Sequence, residues 1–121
     1  YHFDTTGTHY FLLALKTSEN LNLVNFNLLN YNLDNFNAYD LDINLQELGQ
    51  DYNVLMIDDF NSYDAVLRYA NLVRNDLEQI GGEMDAKSHE VVLVSEENYN
   101  TLLEEKEFIP YLLFYRDKYQ N

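Results

Sequence analysis

The 121-residue chain carries 21 acidic against seven basic side chains, a net charge of −14, with 46% hydrophobic and 15% aromatic residues. Such apolar content excludes wholesale disorder, and the acidity excludes nucleic acid as a partner, because a phosphate backbone would be repelled and too few cations exist to release its counterions. With no cysteine there is neither a disulfide framework nor a thiolate metal site, and no apolar run approaches the roughly 18 residues that a bilayer-spanning helix needs.

His9 to Lys16 is an apolar run long enough to be a central strand buried on both faces. Thr17 or Ser18 is placed to cap a helix, with Glu19 near the positive end of its dipole. Leu21 to Leu33 then reads as that helix. Val24, Leu28 and Tyr31 fall on one stripe, although Leu21/Leu23, Phe26/Leu28 and Tyr31/Leu33 also alternate with asparagines. The asparagine density reads either as a polar recognition face or as the codon bias of an AT-rich genome.

Ala38 to Leu45 alternates Tyr39, Leu41, Ile43 and Leu45 with Asp40, Asp42 and Asn44, the pattern of a half-exposed edge strand. Leu48 to Asp51 supplies a turn around Gly49, and Tyr52 to Ile57 pairs back as a hairpin. Ser62 caps a second helix with Asp64 in its first turn. Its buried stripe is Ala65, Val66 or Leu67, Tyr69, Leu72 and Val73, with Arg68 and Arg74 outside. Asp76 to Lys87, with Gly81-Gly82 and no periodicity, reads as a loop. Glu90 to Val94 is the last strand, and Ser95 caps a helix opened by Glu96 and Glu97. Helices over 96–104 and 108–119 close the chain, with Pro110 tolerated in the first turn of the second. Phe108, Tyr111, Leu112, Phe114 and Tyr115 cannot all be exposed, and must cover the sheet or a partner surface.

The resulting order is strand, helix, strand, strand, helix, strand and further helix. It predicts an α+β fold, a ferredoxin-like βαββαβ sandwich with a C-terminal helical extension. That fold hosts many functions, so the side chains must carry any functional reading. His2, His9 and His89 share no metal-ligand spacing. The pairs Asp40/Asp42, Asp58/Asp59, Glu96/Glu97 and Glu104/Glu105 lack a calcium-loop pattern. Ser62 and Ser95 are explained by capping, and Gly81-Gly82 is too short and acidic in context for a phosphate. The reading is therefore a non-enzyme with no catalytic residue, no metal and no cofactor. Eleven tyrosines with no tryptophan leave a second question, whether Tyr10, Tyr52, Tyr99, Tyr115 and Tyr119 form an exposed patch or bury their rings with the hydroxyl at water.

The sequence resembles two known families. His9-Tyr-Phe-Leu-Leu-Ala-Leu15, Asn25-Phe-Asn27, Asn35-Phe36, Tyr52-Asn-Val-Leu-Met-Ile57, Phe60-Asn-Ser-Tyr-Asp-Ala65 and Val94-Ser-Glu-Glu-Asn-Tyr99 resemble the C-terminal domain of Bacteroidetes periplasmic tetratricopeptide-repeat lipoproteins. Those lipoproteins are of the kind linked to type IX secretion and gliding. Tyr111-Leu-Leu-Phe-Tyr115 stands where that family has a Tyr-x-x-Phe-Phe-like sequence. The resemblance implies a protein-interaction module at the periplasm or the periplasmic face of the outer membrane, with a protein partner in the cell envelope and no direct membrane insertion. Asp58-Asp-Phe60 and Asp64-Ala65 are similar to part of the sporulation-related repeat, which implies peptidoglycan glycan binding as the alternative. The chain opens at Tyr1 rather than methionine, so the expectation is one domain over residues 1–121, the C-terminal fragment of a longer protein. The expected partner-binding face joins the edge strand to the last helix through Tyr39, Asp40, Asp42, Tyr111 and Tyr115.

Overall fold

The computed structural model describes residues 1–36, 41–58, 60–81 and 88–120. In chain order these form β1 (His9–Lys16), α1 (Leu21–Asn35), β2 (Asn44–Leu48), β3 (Tyr52–Ile57), α2 (Tyr63–Asn75), α3 (Leu77–Gly81), β4 (His89–Ser95), α4 (Glu96–Glu105) and α5 (Ile109–Lys118). The chain is α+β, with a four-stranded antiparallel sheet in the order β2-β3-β1-β4.

β1 pairs with β3 through Phe11↔Ile57 and Leu13↔Leu55, and with β4 through Phe11↔Leu93 and Leu13↔Val91. Strands in that position are covered on both faces, which is why β1 reads as an uninterrupted apolar run. Phe11, Leu12, Leu13, Ala14 and Leu15 are all buried. Side chains of opposite parity along β1 leave on opposite faces. Phe11 meets the ring of Tyr69 in α2, whereas Tyr10 meets Tyr99 in α4. α1 lies beside α2, tied by the Tyr69 hydroxyl donating to Asn32 Oδ1 at 2.5 Å. Phe108, just before α5, packs on Tyr52 of β3.

Local signals explain most boundaries. Ser62 and Ser95 accept from the backbone N–H of Ala65 and Asn98, capping α2 and α4 as expected. α1, however, is capped by Asn20, which accepts from Leu23 N–H at 3.1 Å. Thr17 is occupied elsewhere: its N–H donates to Asp51 O and its hydroxyl to Gln50 O, binding the end of β1 to the hairpin turn. Gly49 in that turn has φ +74, and a Cβ there would stand 2.8 Å from the Lys106 carbonyl oxygen.

Besides the α1 cap, three expectations shift. The first hairpin strand is Asn44–Leu48 rather than Ala38 to Leu45, because the short turn at Gly49 lets only the residues immediately before it pair with β3. Leu41 and Ile43 are packed inward without being in the ladder, and residues 38–40 lie outside the described residues. In α2, Leu72 is 39% exposed and Ala70 takes the buried place beside Val66, Tyr69 and Val73. Arg74 turns inward to Val91 O and the Tyr115 hydroxyl. The expected loop from Asp76 begins with α3, whose Ile80 is buried and whose approach to α1 is fixed by Asn27 Nδ2 donating to Ile80 O.

Candidate functional site

The outer strand β4 forms one edge of the sheet. β4 pairs with β1 on one side only, and the carbonyls of Val91 and Leu93, two residues apart, accept from Arg74 and from the Tyr111 hydroxyl at 2.6 Å. A sheet edge whose acceptors are filled by side chains is a poor template for another strand. This places Tyr111 and Tyr115 at 0% and 3% exposure. The expected contact face therefore does not run through them: the stripe Phe108, Tyr111, Leu112 and Tyr115 is spent on the core. Tyr39 and Asp40 lie outside the described residues, and Asp42 is exposed. Of the three described residues among the five, only Asp42 is exposed.

The other tyrosines follow the same logic. Tyr52 and Tyr99 are buried, and Tyr10 and Tyr119 are partly so. Burial pushes the Tyr111, Tyr69 and Tyr31 phenols far up, and Tyr1 up to about 12 with help from the neighbouring Glu105 carboxylate. Those phenols stay neutral and serve as hydrogen-bond donors. No aromatic platform of the kind a glycan needs faces solvent on the described sheet.

The first residues lie against α4 and α5 as an extended strap. Asn98 accepts from the backbone N–H of His2 and donates to its carbonyl. The Tyr119 hydroxyl does the same for Asp4. Tyr1 packs on Tyr111 and Phe114, and Phe3 on Tyr119. His9 is fully buried with Nδ1 toward Gly7 O and Nε2 toward Asp4 O, so its ring ties the strap to β1. His2 is exposed, 4.0 Å from Glu97. Among the described residues no three His, Asp or Glu side chains come together as a metal site, and no helix is long and apolar enough to cross a membrane.

What sequence reading missed is the outer side of α1. Val24, Leu28, Tyr31 and Asn32 face the core, yet Leu23, Phe26, Leu29 and Leu33 on the opposite side are 49%, 60%, 44% and 56% exposed. At 100° per residue these four fall in one arc, with the exposed Asn30 among them. A helix apolar on two sides is ordinarily covered on both. The signal was present in the sequence, since Leu23, Phe26 and Leu33 of the alternating set, together with Leu29, are left over once the inner stripe of Val24, Leu28 and Tyr31 is assigned. The arc is also poor in charge: α1 contains Asp34 and no other ionisable side chain except the buried Tyr31. Apart from this arc, a cavity of about 130 Å³ opens past the end of α1 between Phe36, Leu41, Phe60, Arg68, Tyr69 and Leu72.

No protein-family model, no curated protein and no solved structure matches the chain.

Proposed function

We propose that this chain is a non-enzymatic protein-interaction module and that the outer face of α1 is its docking surface. The observation that carries the reading is the contiguous exposure of Leu23, Phe26, Leu29 and Leu33 on a helix nearly free of charge, in a chain of net charge −14. An exposed apolar patch of that kind marks an interaction site more often than it marks nothing. The scaffold under it is read as ferredoxin-like. The order β2-β3-β1-β4, three antiparallel pairings and helical connections after β1 and β3 support this, with α4 and α5 as the C-terminal extension. Placement in the cell envelope, at the periplasm or the periplasmic face of the outer membrane, with a role supporting secretion or gliding machinery, rests on the sequence resemblance alone. The glycan alternative has no observation in its favour.

The test is a photo-crosslinking amino acid placed at Phe26, beside a control at the exposed Glu104, in an envelope extract. Adducts formed from Phe26 and lost when Leu33 is changed to Asp support the reading. Equal labelling from both positions sinks it.

A further inference from the structure

The charge-poor arc on α1 has a repeat within it. Leu23, Phe26, Asn30 and Leu33 are spaced three, four and three residues apart, the a-d-a-d spacing of a two-helix seam, with Leu29 on its flank. Asn30 sits at a central a position. Against an apolar partner its amide would be buried without a hydrogen-bond partner, which costs stability. Against its own equivalent, the two amides bond to each other, the arrangement by which a single asparagine fixes register and pairing in helix dimers.

Resting on the proposal that this face docks a protein, we infer that its occupant is a second copy of this chain, α1 against α1 across a two-fold axis parallel to the helices. In that arrangement Leu23, Phe26, Asn30 and Leu33 each meet their equivalents. In the antiparallel arrangement centred on the stripe, Asn30 would instead lie against the Phe26 ring of the other copy. Charge argues in the same direction. Two bodies of net charge −14 repel at most approaches, and α1, with Asp34 alone at the flank of the seam, is where they can meet with least like-charge contact. The exposed area of four half-covered side chains falls short of the roughly 800 Å² per partner of a standard interface. The dimer is accordingly a concentration-dependent equilibrium rather than an obligate assembly.

The experiment is sedimentation velocity of the full chain over a concentration series at about 0.1 M and about 1 M NaCl, between which the Debye length falls from roughly 10 Å to 3 Å. The expected result is a shift toward twice the monomer mass that grows with concentration and with salt, and that disappears in Phe26→Asp/Leu33→Asp. Because the chain has no cysteine, Leu23→Cys gives a second readout that keeps the Asn30 amides, and in the antiparallel arrangement the two copies of residue 23 would stand at opposite ends of the seam. A short bismaleimide should join it to its equivalent, whereas Gln50→Cys on the hairpin turn should stay monomeric. A chain that is monomeric at every concentration and salt overturns the second copy as occupant, even if crosslinking from Phe26 to another protein stands. A dimer in which Leu23→Cys is not joined overturns the parallel arrangement, and with it the inference.

Discussion

A tyrosine hydroxyl in this chain contributes according to what it bonds. That of Tyr111 donates to the Leu93 carbonyl at an otherwise open sheet edge, whereas that of Tyr99 is buried with no hydrogen-bond partner among the described residues. Tyr111→Phe orphans a carbonyl and should cost about 1–2 kcal/mol, while Tyr99→Phe should be neutral or stabilising. Urea denaturation of the two variants reads the contrast directly, and a Tyr99→Phe change that costs as much as Tyr111→Phe would contradict it. Tyr111→Ala with Tyr115→Ala should unfold the domain, because two buried rings are removed from one face of α5. The spacing of 108, 111, 112 and 115 was a legible helical stripe. What composition hid was its direction, since a stripe facing a partner and a stripe facing the sheet look alike until the sheet edge is placed.

At the scale of elements, features with a local chemical cause were readable and features set by partners in space were not. The serine caps of α2 and α4 and Pro110 in the first turn of α5 are local. β2 was misplaced because its alternation continues from Tyr39 to Leu45, and only the reach of the Gly49 turn decides which part of the run pairs. α3 was missed because five residues hold too little of a helical period to be seen; it is positioned by Asn27 and by Tyr31, whose hydroxyl donates to Asp76. Gly49 itself carries a prediction. Its φ of +74 and the Lys106 oxygen 2.8 Å from a Cβ leave no place for a side chain. Gly49→Ala should therefore destabilise by more than about 1 kcal/mol, where a merely flexible turn would gain from the same change. A thermal melt distinguishes the two signs.

The whole molecule is a neutral aromatic interior wrapped in acid. Among the described residues, eight tyrosines (Tyr1, Tyr10, Tyr31, Tyr63, Tyr69, Tyr99, Tyr111 and Tyr119) have phenols raised above the ordinary value, chiefly by burial. A phenol whose folded pKa is raised contributes stability that is fully present below its unfolded value, about 10, and is lost as pH rises through the folded value. The fold should thus fail in alkali. Phenolate absorbance should appear late and together with loss of the circular-dichroism signal, and early ionisation of these tyrosines in a still-folded chain would contradict the packing. The overall architecture was legible because strand runs, caps and turn signals agree with one another. The exposed apolar side of α1 was harder to read, because exposure is a property of what the rest of the chain leaves uncovered.

The measurement that bears most directly on the account is urea denaturation of Phe26→Asp/Leu33→Asp at a protein concentration low enough for the chain to be monomeric. If the outer side of α1 is a surface, the variant keeps its cooperative transition and loses about 1 kcal/mol or less, the helix-propensity cost of two aspartates. A loss beyond about 4 kcal/mol, or no folded baseline, would mean that Phe26 and Leu33 belong to the core and that α1 has no docking face.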